Sequence, residues 1–134
     1  MTKLIILRGL PDSNKDELVK DLFVNFTQFE ADMFFMNNGV YSYNFKELDS
    51  AHKWCQQAVK KVLINGSNVI VTNTFVRQWE LVPYLRIAKE LDIEVEIITA
   101  TGRGKNKTKV PQPTINKMRR NWEDVNLKEV MASL

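Results

Sequence analysis

The sequence predicts an open α/β sheet of mostly parallel strands, flanked by helices. The first observation is residues 3–8, a nearly unbroken apolar run without polar alternation, which is typical of a parallel strand covered on both faces. The second is that helical apolar stripes separate this strand from three later β-rich segments. Such spacing requires crossover connections, which are right-handed almost without exception. With 134 residues and 44% apolar content, one domain is expected.

The first half of the chain alternates strand and helix. After the first strand, apolar residues at helical spacing predict a helix over about residues 14–25. Residues 29–31 resemble a short second strand that ends at Asp32, and Gly39 starts a turn that leads into an aromatic segment. A second helix is marked by an apolar stripe and ends at Asn65-Gly66. The residues of that stripe are Ala51, Trp54, Cys55, Ala58, Val59, Val62 and Leu63.

The second half continues the pattern. Residues 68–72 are β-branched and predict a third strand, residues 81–91 carry another helical stripe, and residues 94–99 predict a fourth strand. Pro111 and Pro113 are suited to a helix start that leads towards Trp122. We divide the chain into a domain over 1–124 and a tail over 125–134, whose apolar spacing fits either a cover for the domain or a contact with another subunit.

The basic charge is concentrated near the C-terminus. Residues 1–100 contain 11 Lys and Arg against 13 Asp and Glu, whereas residues 101–134 contain 8 against 3. Four basic residues alternate through a segment with Gly and Asn, at about residues 101–110: Arg103, Lys105, Lys107 and Lys109. This composition suits a loop that meets a polyanion, although an ordinary solvated loop is equally consistent with the charge alone.

Residues 9–16 outline a phosphate-binding loop between the first strand and the first helix. The template is G-x-x-x-x-G-K-[ST], in which glycines let backbone amides close on phosphate. Gly9 and Lys15 fit, and Ser13 lies within the loop. Asn14 occupies the second glycine position, and Asp16 occupies the position of the hydroxyl that holds magnesium.

Four polar features follow the ends of the four predicted strands. They are the loop 9–16, Asp32, Asn73 and the basic segment. In an open parallel sheet, ligands bind beyond the carboxyl ends of the strands. The sequence therefore predicts one site at this edge.

Several blocks of the chain, over residues 1 to about 124, match a known pattern in order and spacing. They are 30–35 (EADMFF), 39–41 (GVY), 51–55 (AHKWC), 68–75 (NVIVTNTF), 79–80 (WE), 83–84 (PY), 110–111 (VP) and 122–123 (WE), with Met118. On these residues the chain resembles the small P-loop kinase-like proteins related to phage polynucleotide kinase. The resemblance implies a three-layer P-loop kinase core with a mostly parallel sheet flanked by helices.

The resemblance also implies roles for individual residues. Asp32 matches the carboxylate that accepts a proton from an acceptor hydroxyl. Asn73 matches a polar position near the phosphates and the metal. Arg103 and the three lysines after it match a lid that places basic groups against phosphate, although Thr108 replaces a histidine that is frequent in related short forms.

The loop departs from the pattern Gly-x-Pro-Gly-Ser-Gly-Lys-[Ser/Thr] of active relatives. Two glycines are replaced by Asp12 and Asn14, and the hydroxyl is replaced by Asp16. Asn tolerates the left-handed conformation that glycine supplies. A carboxylate beside a polyphosphate opposes binding, since two like unit charges at about 4 Å interact by roughly 4 kcal/mol at an effective dielectric of 20.

We therefore weigh three functions. The first is a degenerate kinase that needs no cofactor and binds single-stranded nucleic acid or a host macromolecule. The second is an active polynucleotide or nucleotide kinase that uses ATP and magnesium, with Lys15 on the phosphates, Asp16 on the metal, Asp32 as base and Arg103 in the lid. The third is a protein that docks on a host enzyme.

The remaining residues have simpler interpretations. Cys55 lies on an apolar stripe and is expected to be a small buried hydrophobe, and His52 has no metal partner at ligand spacing. Trp54, Trp79 and Trp122 are expected to pack in the core or under the lid. The chain has no leader-like or membrane-length apolar run, which indicates a cytoplasmic protein, in the host cytoplasm if phage-encoded.

Overall fold

The computed structural model describes residues 2–102 and 110–134, which form the expected three-layer α/β arrangement. The elements in chain order are β1 (Lys3–Arg8), α1 (Lys15–Leu22), β2 (Thr27–Phe29), a first 3₁₀ helix (Ala31–Phe35), β3 (Met36–Asn37), β4 (Val40–Tyr41), a second 3₁₀ helix (Phe45–Glu47), α2 (Leu48–Ile64), β5 (Val69–Asn73), α3 (Gln78–Leu91), β6 (Glu94–Thr99), α4 (Gln112–Asn121) and α5 (Leu127–Ser133).

The main sheet has the strand order β2-β5-β1-β6, and all three pairings are parallel. Arg8 at the end of β1 lies opposite Asn73 of β5 and Thr99 of β6, so three strands end at the same level. The backbone continues this alignment by one step, because the Gly9 amide donates to the Thr74 carbonyl and the Ala100 amide donates to the Arg8 carbonyl. Loops from three parts of the chain therefore meet at one edge.

Both faces of the sheet are covered, as the apolar run of β1 predicts. Leu4 and Ile6 pack on the face covered by α2, α3 and α5, whereas Ile5 and Leu7 pack on the face covered by α1. All four side chains are buried. A central parallel strand needs apolar residues on both sides for this reason, and alternation is absent from its sequence.

Most predicted elements are confirmed, and the second strand is the main correction. Strands β1 and β6 have the expected bounds, whereas α1 is shorter than the predicted 14–25. The prediction that residues 29–31 form a strand ending at Asp32 is wrong, since β2 ends at Phe29 and Asp32 lies in the first 3₁₀ helix. The Ala31 amide donates to the Asn73 side chain at 2.9 Å, which turns the chain out of the sheet.

The tail packs on the domain. Val130 is buried in the cluster beneath α2 and α3, and four further apolar residues of the tail lie against that cluster: Val125, Leu127, Met131 and Leu134. The apolar spacing of the tail had two interpretations, and the structure supports the one in which the tail covers the domain. Among the described residues, no helix has the length and apolar content that crossing a membrane requires.

Candidate functional site

The loop between β1 and α1 keeps the bent backbone of a phosphate-binding loop without two of its glycines. Asp12 and Asn14 both have left-handed backbone angles, with φ of 68° and 65°. Asn and Asp are the residue types, after glycine, that adopt this conformation most readily. The expectation for Asn14 is confirmed, and Asp12 takes the same conformation. Asp12 therefore adds a negative charge while keeping this bend, and Asn14 keeps the bend and stays neutral.

Two glycines hold the loop close to the neighbouring strand end. A Cβ atom on Gly9 would lie 2.4 Å from the Ser13 hydroxyl oxygen and 3.0 Å from the Ala100 carbonyl oxygen. A Cβ on Gly102 would lie 2.8 Å from the Asn14 side-chain nitrogen. The distances to the Ser13 and Asn14 side chains are both shorter than the contacts that real Cβ atoms make. Gly102 therefore belongs to the loop's packing, although no sequence pattern marks it.

Lys15 is bound by the chain's own groups. Its ammonium donates to the Gly9 carbonyl at 2.7 Å and to the Leu10 carbonyl at 2.9 Å. Burial lowers the pKa of Lys15, whereas the charges of Asp16, Glu30 and Asp12 raise it. Three carboxylates thus act on the Lys15 ammonium.

Glu30 is a further charged residue at this edge, and it is the first residue of the block 30–35. Burial raises the pKa of Glu30 to about 7, the charges of Asp16 and Asp32 add to this rise, and Lys15 and the Thr72 hydroxyl oppose it. Glu30 directly follows β2, two residues after Gln28. This period-two spacing puts both residues on one face, and together with the block 30–35 it is a local signal for Glu30.

Gln28 connects α1, the helix that follows the loop, to β5 of the sheet. Its side-chain amide donates to the Thr72 hydroxyl at 2.9 Å and to an Asp16 carboxylate oxygen at 3.3 Å. Thr72 is buried, and Asp16 is exposed in the first turn of α1. A carboxylate in that turn also interacts favourably with the helix dipole. Asp16 therefore has partners inside the chain.

Asp32 lies on the exposed side of the first 3₁₀ helix. A carboxylate oxygen accepts a hydrogen bond from the Tyr41 hydroxyl at 2.6 Å. Burial raises the pKa of Tyr41 to about 12, and both the hydrogen bond to Asp32 and the negative charge of Asp32 add to this rise. Tyr41 belongs to β4, so the β3–β4 hairpin positions the carboxylate. The Asp32 carboxylate is therefore held in one place and open to solvent.

Asn73 is at the predicted strand end but uses its side chain within the fold. Its side-chain oxygen accepts the Ala31 amide, and its side-chain nitrogen is buried. The Tyr84 hydroxyl and the Cys55 thiol lie beside it, and burial raises the pKa of both groups. Cys55 is fully buried, as its apolar stripe predicts. Asn73 therefore anchors the 3₁₀ helix that carries Asp32.

Arg8 supports the segment that follows β5. Its side chain is 2% exposed, and its guanidinium donates to the Phe75 carbonyl at 3.1 Å and to the Val76 carbonyl at 3.3 Å. The guanidinium carbon lies 4.0 Å from the ring centre of Trp122, and burial lowers the Arg8 pKa. Phe75 has a left-handed φ of 49°, which is costly for an aromatic residue. Arg8 binds the carbonyl of this strained residue.

A cavity of about 950 Å³ lies beside the loop. One wall is the loop itself, including Leu10 and Asp12, and the other is the inner side of α4 and its end, where Ile115, Arg119 and Trp122 line it. Trp122 packs against Arg8 at the wall of the cavity, and Trp54 packs against the core. Trp79 does not pack in the core as expected, since it is 71% exposed. The predicted lid residues Arg103, Lys105, Lys107 and Lys109 lie outside the described residues.

The segment over residues 31–50, which contains Asp32, is mostly exposed and carries apolar side chains. We call it the acceptor side, because the resemblance assigns Asp32 to an acceptor hydroxyl. Every residue from 36 to 50 is exposed. Seven large apolar side chains project from the first 3₁₀ helix, the hairpin and the start of α2: Met33, Met36, Val40, Tyr41, Tyr43, Phe45 and Leu48. We call these seven residues the aromatic face, after its three aromatic members Tyr41, Tyr43 and Phe45. Phe35 supports it from below, with ring contacts to Tyr41 and Tyr43. The sequence showed the aromatic residues but not their exposure.

No group of three or more His, Cys, Asp or Glu side chains within residues 2–102 and 110–134 is arranged to hold a metal ion. Asp16 is the carboxylate at the magnesium position of the loop, and a magnesium ion there would need oxygen ligands from bound phosphates and water as well. Within the described part of the chain, the donor set is therefore incomplete for magnesium.

Comparison with known proteins identifies the fold as that of P-loop kinases. No family model matches the chain. The chain superposes on Kti12 from Chaetomium thermophilum, solved with ADP-AlF3, with a TM-score of 0.65 and 15% identity over 92% of this chain and 81% of that one. It superposes on a chain of the Pnkp1/Rnl/Hen1 RNA repair complex with a TM-score of 0.59 and 18% identity, over 96% of this chain and 42% of that one. The central sheet and its helices are therefore a P-loop kinase-like core.

The chain is also similar in sequence to curated proteins. Human NEDD4-binding protein 2 is 33% identical over 91 residues, which are 65% of this chain. The chain spans only 5% of that protein's length.

Proposed function

We propose that this chain is a kinase-like protein that no longer binds MgATP tightly and that binds single-stranded nucleic acid through its acceptor side. The observation that carries the first half is the charge around Lys15. Its ammonium is bound to two backbone carbonyls, and Asp16, Glu30 and Asp12 act on it. A polyphosphate entering the loop would meet these negative charges.

The size of the effect supports weak binding. One like-charge pair at about 4 Å is worth roughly 4 kcal/mol at an effective dielectric of 20. Micromolar affinity amounts to only about 8 kcal/mol. Even a fraction of the repulsion from three carboxylates removes most of that affinity, although the loop backbone still has the bent shape.

The aromatic face supports the second half. Stacking of a base on an aromatic ring is worth about 1–3 kcal/mol and tolerates any base. Tyr43 and Phe45 are exposed there, close in sequence to Tyr41, which binds Asp32. The basic segment 103–109 supplies charge for a phosphate backbone. One structural neighbour belongs to a complex described as an RNA repair complex, which is consistent with this class of ligand.

An active kinase is the second candidate, because the loop keeps left-handed residues at two of its bends and a lysine at the phosphate position. In that function Lys15 would bind the phosphates, Asp32 would accept the proton of an acceptor hydroxyl, and Arg103 would act from the lid. Asp16 would be the protein's ligand to magnesium. ATP and magnesium would then be required.

Thermal unfolding with MgATP separates the two candidates. A ligand at a hundred times its dissociation constant adds about 2.7 kcal/mol to the free energy of unfolding. We expect millimolar MgATP to change the melting temperature no more in the natural chain than in Lys15→Ala. A clear shift in the natural chain that Lys15→Ala abolishes would establish the kinase instead.

Oligonucleotide binding tests the other half. We expect a single-stranded oligonucleotide to bind with an affinity that falls steeply with salt. Replacement of Lys105, Lys107 and Lys109 by Gln should reduce the slope of log affinity against log salt by about 2, since each phosphate contact on a single strand contributes about 0.7. Absent or salt-independent binding would contradict the nucleic-acid function.

A further inference from the structure

We propose that Asp32 selects guanine in a bound single strand, because its carboxylate accepts hydrogen bonds from the two adjacent N–H groups on the Watson–Crick edge of that base. This role rests on the proposed function, in which the acceptor side binds single-stranded nucleic acid. It names the base that the acceptor side recognises, and it gives Asp32 a task that requires no phosphoryl transfer.

Asp32 is held in place although its side chain is exposed. The residue before it, Ala31, is buried, and the Ala31 amide donates to the Asn73 side chain at 2.9 Å. The Tyr41 hydroxyl donates to a carboxylate oxygen of Asp32 at 2.6 Å. A group that is already ordered loses less conformational entropy when a ligand binds to it. Asp32 therefore presents a fixed hydrogen-bond acceptor at the sheet edge.

The Asp32 carboxylate has acceptor capacity that the fold does not use. An ionised carboxylate offers about four lone-pair sites on its two oxygens. Within residues 2–102 and 110–134, the Tyr41 hydroxyl is the hydrogen-bond partner of this carboxylate, and it takes one lone pair of Oδ1. The second oxygen, Oδ2, and the remaining lone pair of Oδ1 are left for a ligand that carries two donors side by side.

Aromatic rings adjoin this acceptor. Phe35 is buried, and its ring centre lies 6.5 Å from that of Tyr41 and 5.1 Å from that of Tyr43. Tyr41 and Tyr43 are nevertheless half-exposed. One buried ring thus supports both the residue that binds Asp32 and a neighbouring exposed ring. A base that stacks on this part of the aromatic face has its hydrogen-bonding edge beside the Asp32 carboxylate.

The donor and acceptor pattern of each base determines which one fits a carboxylate. Bases of a single strand are recognised on their Watson–Crick edges. Guanine presents a ring N–H and an amino N–H side by side, which match two carboxylate oxygens as an arginine fork does. Adenine and cytosine place a ring-nitrogen acceptor beside their amino group, and thymine has a carbonyl oxygen on each side of its N–H. These acceptors oppose a carboxylate, so the repulsion excludes the three other bases.

Short thymidine oligomers that differ only in their central base test this role in the natural chain, without dependence on a variant's folding. We expect the oligomer with guanine to bind about tenfold more tightly in fluorescence anisotropy than the one with hypoxanthine, which lacks the amino group. 7-Deazaguanine changes only the opposite edge of the base, so it is the matched control and should bind as guanine does. All three oligomers carry the same phosphates, so the salt-dependent part of binding cancels. Equal binding of guanine and hypoxanthine, or a loss with 7-deazaguanine, would overturn the role of Asp32.

A variant assigns the preference to one side chain. Asp32→Asn replaces one acceptor oxygen by a donor, so it should bind the guanine and hypoxanthine oligomers with affinities within about twofold of each other. Glu47→Gln is the matched control, since it removes another exposed carboxylate from the acceptor side and should keep the preference for guanine. The ratio of the two affinities is the readout, because both variants lose one negative charge. A preference that persists in Asp32→Asn would contradict the proposal.

A free guanosine nucleotide carries the same edge as a guanine within a strand. We expect guanosine monophosphate to bind at least about tenfold more weakly than the guanine oligomer, because it lacks neighbouring bases and phosphates. Equal affinity would assign the site to a free nucleotide and overturn the recognition of a strand. If none of the oligomers binds, the proposed function fails and the role of Asp32 fails with it. If all of them bind equally, only the role of Asp32 is overturned.

Discussion

The loop side and the acceptor side of the sheet edge differ in how their functional groups are used. On the loop side, Arg8, Lys15 and Asp16 all have hydrogen-bond partners inside the chain. On the acceptor side, every residue from 36 to 50 is exposed. A site kept for phosphoryl transfer would need free groups on both sides, because the donor and the acceptor must both bind. The two sides therefore differ in exposure: the named groups of the loop side are engaged within the chain, whereas residues 36–50 face solvent.

Replacement of Arg8 should have the largest effect on this comparison. Arg8→Ala removes hydrogen bonds from a charged donor to the Phe75 and Val76 carbonyls and the stacking on Trp122. Hydrogen bonds from charged groups contribute about 1.5–3 kcal/mol, and a buried cation over an aromatic ring contributes about 2 kcal/mol. From these two contributions we expect the free energy of unfolding in urea to fall by about 3–5 kcal/mol.

Arg119→Ala is the control for Arg8→Ala. Arg119 is exposed and lines the cavity, so its loss should change stability by less than about 0.5 kcal/mol. A decrease of less than about 1 kcal/mol for Arg8→Ala would show that the loop side does not depend on this internal support, and the contrast between the two sides would be weakened.

Stability against pH should show the next largest effect. The pKa of Glu30 in the folded chain is raised from 4.5 to about 7, so its contribution to stability is fully present below pH 4.5 and is lost as pH rises through 7. A tenfold difference between the folded and unfolded ionisation constants corresponds to about 1.36 kcal/mol. Glu30 is only partly buried, and solvent screening reduces the full value. Relative to Glu30→Gln, the natural chain should lose roughly 2 kcal/mol between pH 5 and pH 8.

Urea unfolding of both chains at several pH values measures this difference. Taking the natural chain relative to Glu30→Gln removes the contributions of all other titrating groups, because both chains share them. Parallel curves for the two chains would indicate that Glu30 is well solvated, which would contradict its part in the loop's charge.

The sequence predicted most of the fold because strand and helix periods are local. β1 shows this, since burial on both faces produces its unbroken apolar run. The prediction from the sequence misplaced the end of β2. The strand ends where the Ala31 amide donates a hydrogen bond to the side chain of Asn73, which is 42 residues away. No local pattern shows such a bond.

The candidate site was predicted in part for the same reason. The loop and Asn73 lie at strand ends and Asp32 lies shortly after β2, so these could be found by position. Glu30 directly follows β2 but was given no role, because its effect on the site arises from Lys15 and Asp16 of α1 and Thr72 of β5. Arg8 was likewise counted as the end of an apolar strand, and its stacking partner Trp122 lies near the other end of the chain.

Removal of an aromatic side chain from the acceptor side should have the smallest of these effects. Phe45 is 71% exposed in the aromatic face, and one stacked base is worth about 1–3 kcal/mol. We expect Phe45→Ala to weaken single-stranded oligonucleotide binding about tenfold in fluorescence anisotropy and to change stability by less than about 0.5 kcal/mol. Ile64→Ala is the control, because Ile64 is 61% exposed at the end of α2, which leads to the start of β5 at the opposite edge. Equal losses for the two variants would mean that general surface hydrophobicity, rather than the acceptor side, binds the oligonucleotide. A loss confined to Phe45→Ala would locate binding on the side of the sheet edge that the fold leaves exposed.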